Sequence, residues 1–278
     1  MQLKRVAISL LVLFRKTLIA IGVGQHSGGT MKHCAAIIIM ITMLPSFAAS
    51  QWPNYPTPGI PRTLDGKPNL SAPAPKLPDG KLDLSGIWKG DQPVPYFGNL
   101  GLKPGELVLT PEGESLQKRF TGEQPCMPWP LPVLDSYALF PFKIIQTAGE
   151  IVILHEHETL FRQIFLDGRQ LPKDPNPTWL GYSVGKWDGD TLVVDTTGFN
   201  DKNAIPGAKP YSDALHITEQ FRRPDFGHLQ IEFTVDDPKV YMKPWSFTRH
   251  YHLVDTELME YICFENEKDL QHMVKPPQ

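Results

Sequence analysis

Two charged residues alternate with apolar residues in segments that have the pattern of β-strands. Glu219 is in phase with Leu215, Ile217 and Phe221, and Arg162 is in phase with Leu160, Ile164 and Leu166. Successive side chains of a strand point to opposite faces, so both charges are predicted to point into an apolar interior. A carboxylate in such a place must be paired, protonated or functional.

Two interpretations of this pair remain open. In the first, Glu219 and Arg162 form a structural ion pair inside the fold. In the second, Glu219 acts as a general acid/base or orients a ligand, while Arg162 holds an anion. The second interpretation makes Glu219, Arg162 and the in-phase His155 the candidate catalytic residues.

Two His-x-His pairs offer a different chemistry. His155 and His157 form the first pair, and His250 and His252 form the second. Imidazoles two residues apart on a strand point the same way, so the two pairs could bind zinc through four nitrogens. The apolar residues around the second pair lie on its opposite face, which predicts that this pair faces solvent; they are Phe247, Tyr251 and Leu253. A neutral His155 that bonds an interior carboxylate is favoured over a metal site, with solvent-facing histidines as the other alternative, and no metal is assigned.

Five aromatic residues are candidates for lining a ligand cavity: Trp179, Tyr182, Trp187, Trp245 and Tyr251. Such rings suit planar or sugar ligands, although ordinary core packing explains the same residues without a ligand. No Gly-rich phosphate loop, nucleophile elbow or redox Cys pair is predicted, and no cofactor is assigned.

A hairpin must position several of these residues. Residues 182–187 and 190–197 have strand patterns, and Asp188-Gly189 lies between them. Asp-Gly is typical of a two-residue type I′ turn, because both central residues need a positive φ. Asp188 and Asp190 are accordingly assigned to a hairpin tip rather than to a catalytic pair.

Strand patterns recur along most of the chain. They cover residues 142–147, 150–158, 160–167, 216–222, 229–235, 245–254 and 257–264, after a first strand that begins near residue 84. One helix is predicted from Thr110-Pro111, which combine a good N-cap with a proline suited to the first helical position, and residues 124–141 are predicted to be loop. A meander of this size closes to avoid free edges, so the predicted fold is all-β, an antiparallel up-and-down β-barrel with one short helix.

The predicted domain order is a signal region at 1–50, a Pro-rich arm at 51–81 and a β-barrel domain at 82–278. Residues 31–50 have a short basic start, an apolar run and a small-residue end, which predicts translation from Met31 and cleavage near Gln51. A tandem membrane anchor is the alternative. The predicted location is the periplasm or the extracellular medium, with no stable membrane span after cleavage.

Without the predicted signal region, the chain has two cysteines and a negative net charge. Cys126 and Cys263 are predicted to form a disulfide in an oxidising compartment, with two separate buried thiols as the alternative. Without the first fifty residues the chain has 22 Lys and Arg against 30 Asp and Glu, a net charge of −8. This balance argues against nucleic acid as a partner.

Several motifs resemble known families. Gly86-x-Trp88 is similar to the G-x-W start of lipocalins and related calycin barrels, a likeness that implies a cavity for an apolar ligand. The motifs Asp167-Gly168-Arg169, Trp179 through Asp201, Glu219-Gln220-Phe221 and Pro244-Trp245 resemble an uncharacterised family of secreted bacterial proteins. That second likeness covers roughly residues 61–269 and implies no activity.

Three functional hypotheses follow. The leading one is capture of a small apolar or aromatic molecule inside the barrel, with Glu219 and Arg162 as polar anchors. The alternative is a cofactor-independent lyase, isomerase or hydrolase in which Glu219 moves a proton with help from His155. The third is a protein-interaction module that uses the arm and the Trp-rich loop.

Overall fold

The computed structural model describes residues 59–91, 102, 105–119, 128–136, 140–202, 204–205 and 209–262. Nine strands close into one barrel in chain order. They are β1 (Gly86–Gly90), β2 (Phe142–Gln146), β3 (Glu150–His155), β4 (Phe161–Phe165), β5 (Tyr182–Asp188), β6 (Thr191–Thr197), β7 (His216–Arg222), β8 (His228–Asp236) and β9 (Trp245–Leu253). Two helices lie in the described part of the chain, α1 (Pro111–Arg119) and α2 (Val133–Ser136). Neither is long and apolar enough to cross a membrane.

The predicted barrel is confirmed, but its wall is not wholly antiparallel. β1 pairs with β9 and closes the ring, while β4 and β5 pair in parallel through Ile164 opposite Ser183. Each antiparallel pair reverses the strand direction, so a closed ring must contain an even number of antiparallel pairs. Nine strands form nine pairs, and an odd number of these pairs must therefore be parallel. The long connection at 166–181 carries the chain back to the end where β4 began, which makes the β4–β5 pair parallel.

The predicted hairpin is confirmed as β5–β6, with its turn one residue later than expected. Asp188 pairs with Thr191, so Gly189 and Asp190 form the two-residue turn. Gly189 has a φ of 58°, and Asp190 has no positive φ. A positive φ at the first central residue alone is the pattern of a type II′ turn rather than type I′.

Other predicted elements are partly correct. The strand predicted at 229–235 is β8, and the helix predicted from Thr110 is α1, where Thr110 Oγ1 accepts a hydrogen bond from Gly113 N at 3.0 Å. The strand predicted at 257–264 is wrong for its described residues, because Tyr261 forms only an isolated bridge to His157. The loop prediction for 124–141 missed α2.

The barrel interior holds the hydrophobic core. β7 and β8 alternate buried with half-buried residues along their whole length. The inward side chains of β8 are almost completely enclosed: Leu229, Ile231, Phe233 and Val235. Period-two sidedness therefore holds, and it places polar in-phase residues inside the barrel.

The described part of the Pro-rich arm packs against the barrel. Its repeated Asp-Gly-Lys turns each close a small bridge, Arg62 with Pro68 and Lys76 with Leu82. Between these turns, Gly227 N donates to Leu70 O at 2.7 Å and Phe226 N donates to Ala72 O at 2.8 Å. The signal region and both cysteines of the predicted disulfide, Cys126 and Cys263, lie outside the described residues.

Candidate functional site

Arg162 on β4 is the centre of a buried polar cluster. Its Nε donates to Ser183 Oγ at 3.1 Å. Its Nη1 donates to Asp135 Oδ2 at 3.0 Å and to Glu219 Oε1 at 2.9 Å. Its Nη2 donates to Thr196 Oγ1 at 2.9 Å and to Glu219 Oε2. A guanidinium has five N–H donors, so every donor of Arg162 is used within the protein.

Strand pairing positions the partners of Arg162. Ser183 and Thr196 lie directly opposite each other on β5 and β6, with their hydroxyl oxygens 2.9 Å apart. Glu219 on β7 pairs with Val194, one inward position along β6 from Thr196, and is fully enclosed. The structure thus brings Glu219 and Arg162 together as a bidentate ion pair, the geometry of the structural interpretation.

No sequence pattern pointed to Asp135. This residue lies on the four-residue helix α2 and is completely buried. Besides the bond from Arg162, its backbone carbonyl accepts a hydrogen bond from Tyr251 Oη at 2.7 Å. Leu131, Val133 and Leu134 beside it are also buried, so α2 is held against the barrel interior by both polar and apolar contacts.

Two carboxyl groups share one guanidinium in this cluster. Burial raises the pKa of both Asp135 and Glu219, because neither carboxylate keeps its hydration, while the charge of Arg162 opposes the rise. The negative charge of Asp135 raises the pKa of Glu219 further. The arrangement therefore favours retention of a proton between the two carboxyl groups.

His155 at the end of β3 is enclosed and neutral. Burial, and then the charge of Arg162, lower its pKa to about 3. Its Nε2 lies 3.3 Å from Asp135 Oδ1, but the two atoms are not aligned for a hydrogen bond and neither has another partner. His155 thus faces an interior carboxylate as predicted from its phase, and that carboxylate belongs to Asp135.

The four-histidine zinc arrangement does not form. His157 packs among the rings of Trp129, Phe140 and Tyr261, with centroids 4.0 to 5.3 Å from its own. His250 is exposed on the outer face, and the Nδ1 of His252 lies 2.7 Å from an oxygen of Asp91. Within the described ranges, no group of three or more His, Cys, Asp or Glu residues is arranged to hold a metal.

The predicted cavity-lining aromatics divide between the two faces of the wall. Trp245 and Tyr251 are buried and inward, whereas Trp179 and Trp187 are half-buried and pack against the core. Tyr182 lies on the outer face, where it packs on Phe165 and accepts a hydrogen bond from Arg169 at 3.0 Å. The expectation that Tyr182 lines the interior is wrong, because its neighbour Ser183 takes the inward position.

Ser183 also stands in a G-x-S-x-G sequence at residues 181–185. A nucleophile elbow places its serine on a sharp turn between a strand and a helix. Ser183 instead lies within β5, fully buried, and its hydroxyl is engaged by Arg162 and Thr196. The sequence match is therefore not an elbow.

An aromatic ladder lines the interior along β8 and β9. Phe233 and Phe247 stack with centroids 5.0 Å apart, and Trp245 stacks on Phe247 at 5.9 Å. Trp245 Nε1 is buried without a hydrogen-bond partner. This ladder offers flat apolar surface and one indole donor on the inner side of the wall.

Arg249 stands beside this ladder and was missed by the sequence reasoning. It is in phase with the inward residues Phe247 and Tyr251, the same signal that identified Arg162. Its Nε and Nη2 are buried without a hydrogen-bond partner. The residue as a whole is nonetheless partly exposed, unlike its inward neighbours on β9.

A cleft of about 600 Å³ lies elsewhere, between the arm and the β1–β2 part of the wall. Ile60, Pro75, Ile145 and Phe226 form much of its lining. This cleft is a second place at which an apolar molecule could bind, and it shares none of the residues of the Arg162 cluster.

The comparisons with known proteins add no assignment to this geometry. The chain matches no protein-family model, and no curated protein sequence matches it.

Proposed function

We propose that the protein binds a small apolar or aromatic molecule inside its barrel, beside β8 and β9. The observation that carries the proposal is the environment of Arg249, an inward residue that keeps partial exposure while its inward neighbours are buried. β1 ends at Gly90, opposite Tyr251, and Asp91 N donates to His250 O, so the described pairing of β1 with β9 stops next to Arg249. We propose that a ligand reaches the interior at this level.

The lining next to this opening supports an apolar or aromatic ligand. Phe233 and Phe247 present stacked rings, and Ile231 lies directly opposite Arg249 on β8. Flat rings bury large apolar area against a planar ligand, and a few inward polar groups are enough to orient it.

The roles expected of Glu219 and Arg162 change in this proposal. Both were expected to anchor the ligand, but all five donors of Arg162 are already used. The cluster instead ties β4, β5, β6, β7 and α2 together. Ligand contact moves to the β8–β9 side of the barrel, where inward donors are unused.

The enzyme alternative has one observation in its favour. His155 Nε2 and Asp135 Oδ1 face each other at 3.3 Å, buried and without hydrogen bonds, as a proton-transfer pair awaiting a substrate would be. Both side chains are buried, so a substrate could reach them only if the surrounding packing opened. Substrate turnover that survives Asp135→Asn and His155→Gln would exclude this alternative.

Export and a lipocalin-like role complete the proposal. A secreted carrier would lose residues 1–50 and gain a Cys126–Cys263 bridge. Intact mass of exported protein, measured after alkylation with and without reduction, tests both expectations together. A chain that retains its first fifty residues, or that alkylates fully without reduction, would contradict them.

Titration with a neutral fluorescent dye, N-phenyl-1-naphthylamine, tests binding in the barrel. We expect saturable binding of one dye per chain, weakened several-fold by Phe247→Leu, since this substitution removes one ring of the inner ladder. Phe161→Leu is the matched control, because Phe161 is 64 % exposed on the outer face of β4. Equal affinity of the two variants would contradict an interior site.

A further inference from the structure

We propose that Arg249 binds the anionic group of the ligand, so that the natural ligand is a small amphipathic carboxylate with an apolar or aromatic body. This inference rests on the proposed binding function and names its ligand class. It assigns the carboxylate to the inner face of β9 and the body of the ligand to the adjacent aromatic ladder.

The donors that Arg249 leaves unused form one edge of its guanidinium. Nε and Nη2 are the two atoms that are buried without partners. Their N–H bonds are parallel, and this edge is one that carboxylates bind through two hydrogen bonds. A carboxylate is thus the group that satisfies both atoms at once.

Other arginines of the barrel are compensated within the protein. Arg222 lies 3.2 Å from a carboxylate oxygen of Glu232, and Arg223 donates to backbone carbonyls, including those of Ser85 and Asp225. Arg162 has two carboxylates. Among the described residues, no carboxylate oxygen lies within 4.0 Å of Arg249 and no acceptor bonds its Nε or Nη2, so it differs from all three of these arginines.

The surroundings of Arg249 are apolar. Its Cζ lies 5.6 Å from the centroid of the Phe247 ring, and Ile231 pairs with it across β8 and β9. Burial lowers the pKa of Arg249, with only the Tyr251 hydroxyl acting against the shift. A cation in this environment is costly to keep unless an anion joins it, and an apolar body next to the anion would cover the ladder.

A matched pair of dyes tests the assignment. N-phenyl-1-naphthylamine is neutral, and 8-anilino-1-naphthalenesulfonate carries one sulfonate on the same ring system. We expect the intact chain to bind the anionic dye at least about tenfold more tightly. Arg249→Gln should remove this preference, because affinity for the anionic dye should fall more than affinity for the neutral dye. Lys186→Gln, which removes an exposed outer charge from β5, should preserve it.

The outcomes separate this inference from the proposed function. Equal binding of the two dyes, or equal loss of both in Arg249→Gln, overturns the role of Arg249 while leaving binding in the barrel intact. Failure of both dyes to bind the intact chain overturns the proposed function, and this inference with it. A cooperative thermal transition in each variant verifies folding. Arg249→Lys keeps the positive charge but not the planar guanidinium, so it should retain only part of the preference for the anionic dye.

Discussion

At the scale of single residues, two inward arginines have opposite relations to their surroundings. Arg162 is enclosed with two carboxyl groups and two hydroxyls, and none of its donors is free. The Nε and Nη2 atoms of Arg249 are buried and have no hydrogen-bond partner. The first arrangement stabilises the fold by satisfying every group, whereas the second is a cost that a bound anion would offset.

Methionine substitutions should separate these two roles. Arg162→Met leaves Glu219 and Asp135 without their cation and should lower the free energy of unfolding by about 3–5 kcal/mol. Arg249→Met removes a partly exposed cation whose buried Nε and Nη2 have no partner, and it should be neutral or stabilising by about 1 kcal/mol. Denaturant unfolding of the ligand-free protein measures both. A large loss of stability in Arg249→Met would mean that its guanidinium is structural.

His155 should make stability depend on pH. An ordinary histidine titrates at 6.5, whereas burial and Arg162 lower the pKa of His155 to about 3, so the unfolded chain binds more protons between these values. The contribution of neutral His155 is complete above pH 6.5 and is lost as the pH falls towards about 3. Between pH 7 and pH 4.5, the free energy of unfolding should fall by about 2 kcal/mol more in the intact chain than in His155→Gln. Parallel pH profiles of the two proteins, from denaturant unfolding, would contradict a buried neutral His155.

Phase along a strand predicted much of the site. Glu219, Arg162 and His155 were placed inside by alternation alone, and the same rule applied to 245–253 would have found Arg249. Asp135 could not be found in this way, because a four-residue helix shows no period and its burial depends on distant strands. Tyr182 was misplaced because it shares the hairpin, but not the phase, of the inward residues.

At the scale of elements, the strands were more predictable than their connections. The strongest alternation, in β8, was located within one residue at each end. The β5–β6 turn shifted by one residue because Gly189, rather than Asp188, takes the first central position. The parallel β4–β5 pair depends on where the connection at 166–181 emerges, and no local pattern records that.

The contact between the arm and the β7–β8 turn is an element-scale prediction. A Cβ at Gly227 would lie 2.3 Å from Leu70 Cβ and 2.9 Å from Leu70 backbone atoms, so Gly227→Ala must push the arm away. We expect a loss of about 1–3 kcal/mol and earlier cleavage of the arm by a protease. Gly149→Ala is the matched control, since a Cβ there meets no atom within 4 Å and its φ is not positive. Equal effects of the two alanines would contradict the packing of the arm.

At the scale of the whole molecule, closure constrains both fold and function. Nine strands in a ring leave no free edge but require a parallel pair, and the interior that they enclose is mostly filled by aliphatic and aromatic side chains. All five donors of Arg162 are used by groups of the protein, so this cluster offers a ligand no free donor of Arg162. We propose that binding takes place where the described pairing of β1 with β9 stops, beside the partly exposed Arg249.

Methyl NMR of an Ile/Val-labelled protein, titrated with N-phenyl-1-naphthylamine, tests the binding site most directly. Ile231 and Val235 point inward beside the ladder, whereas Ile60 and Ile145 line the cleft under the arm. We predict that the dye shifts the resonances of Ile231 and Val235 and leaves those of Ile60 and Ile145 in place. Shifts confined to Ile60 and Ile145, or no shifts at saturating dye, would contradict a ligand inside the barrel.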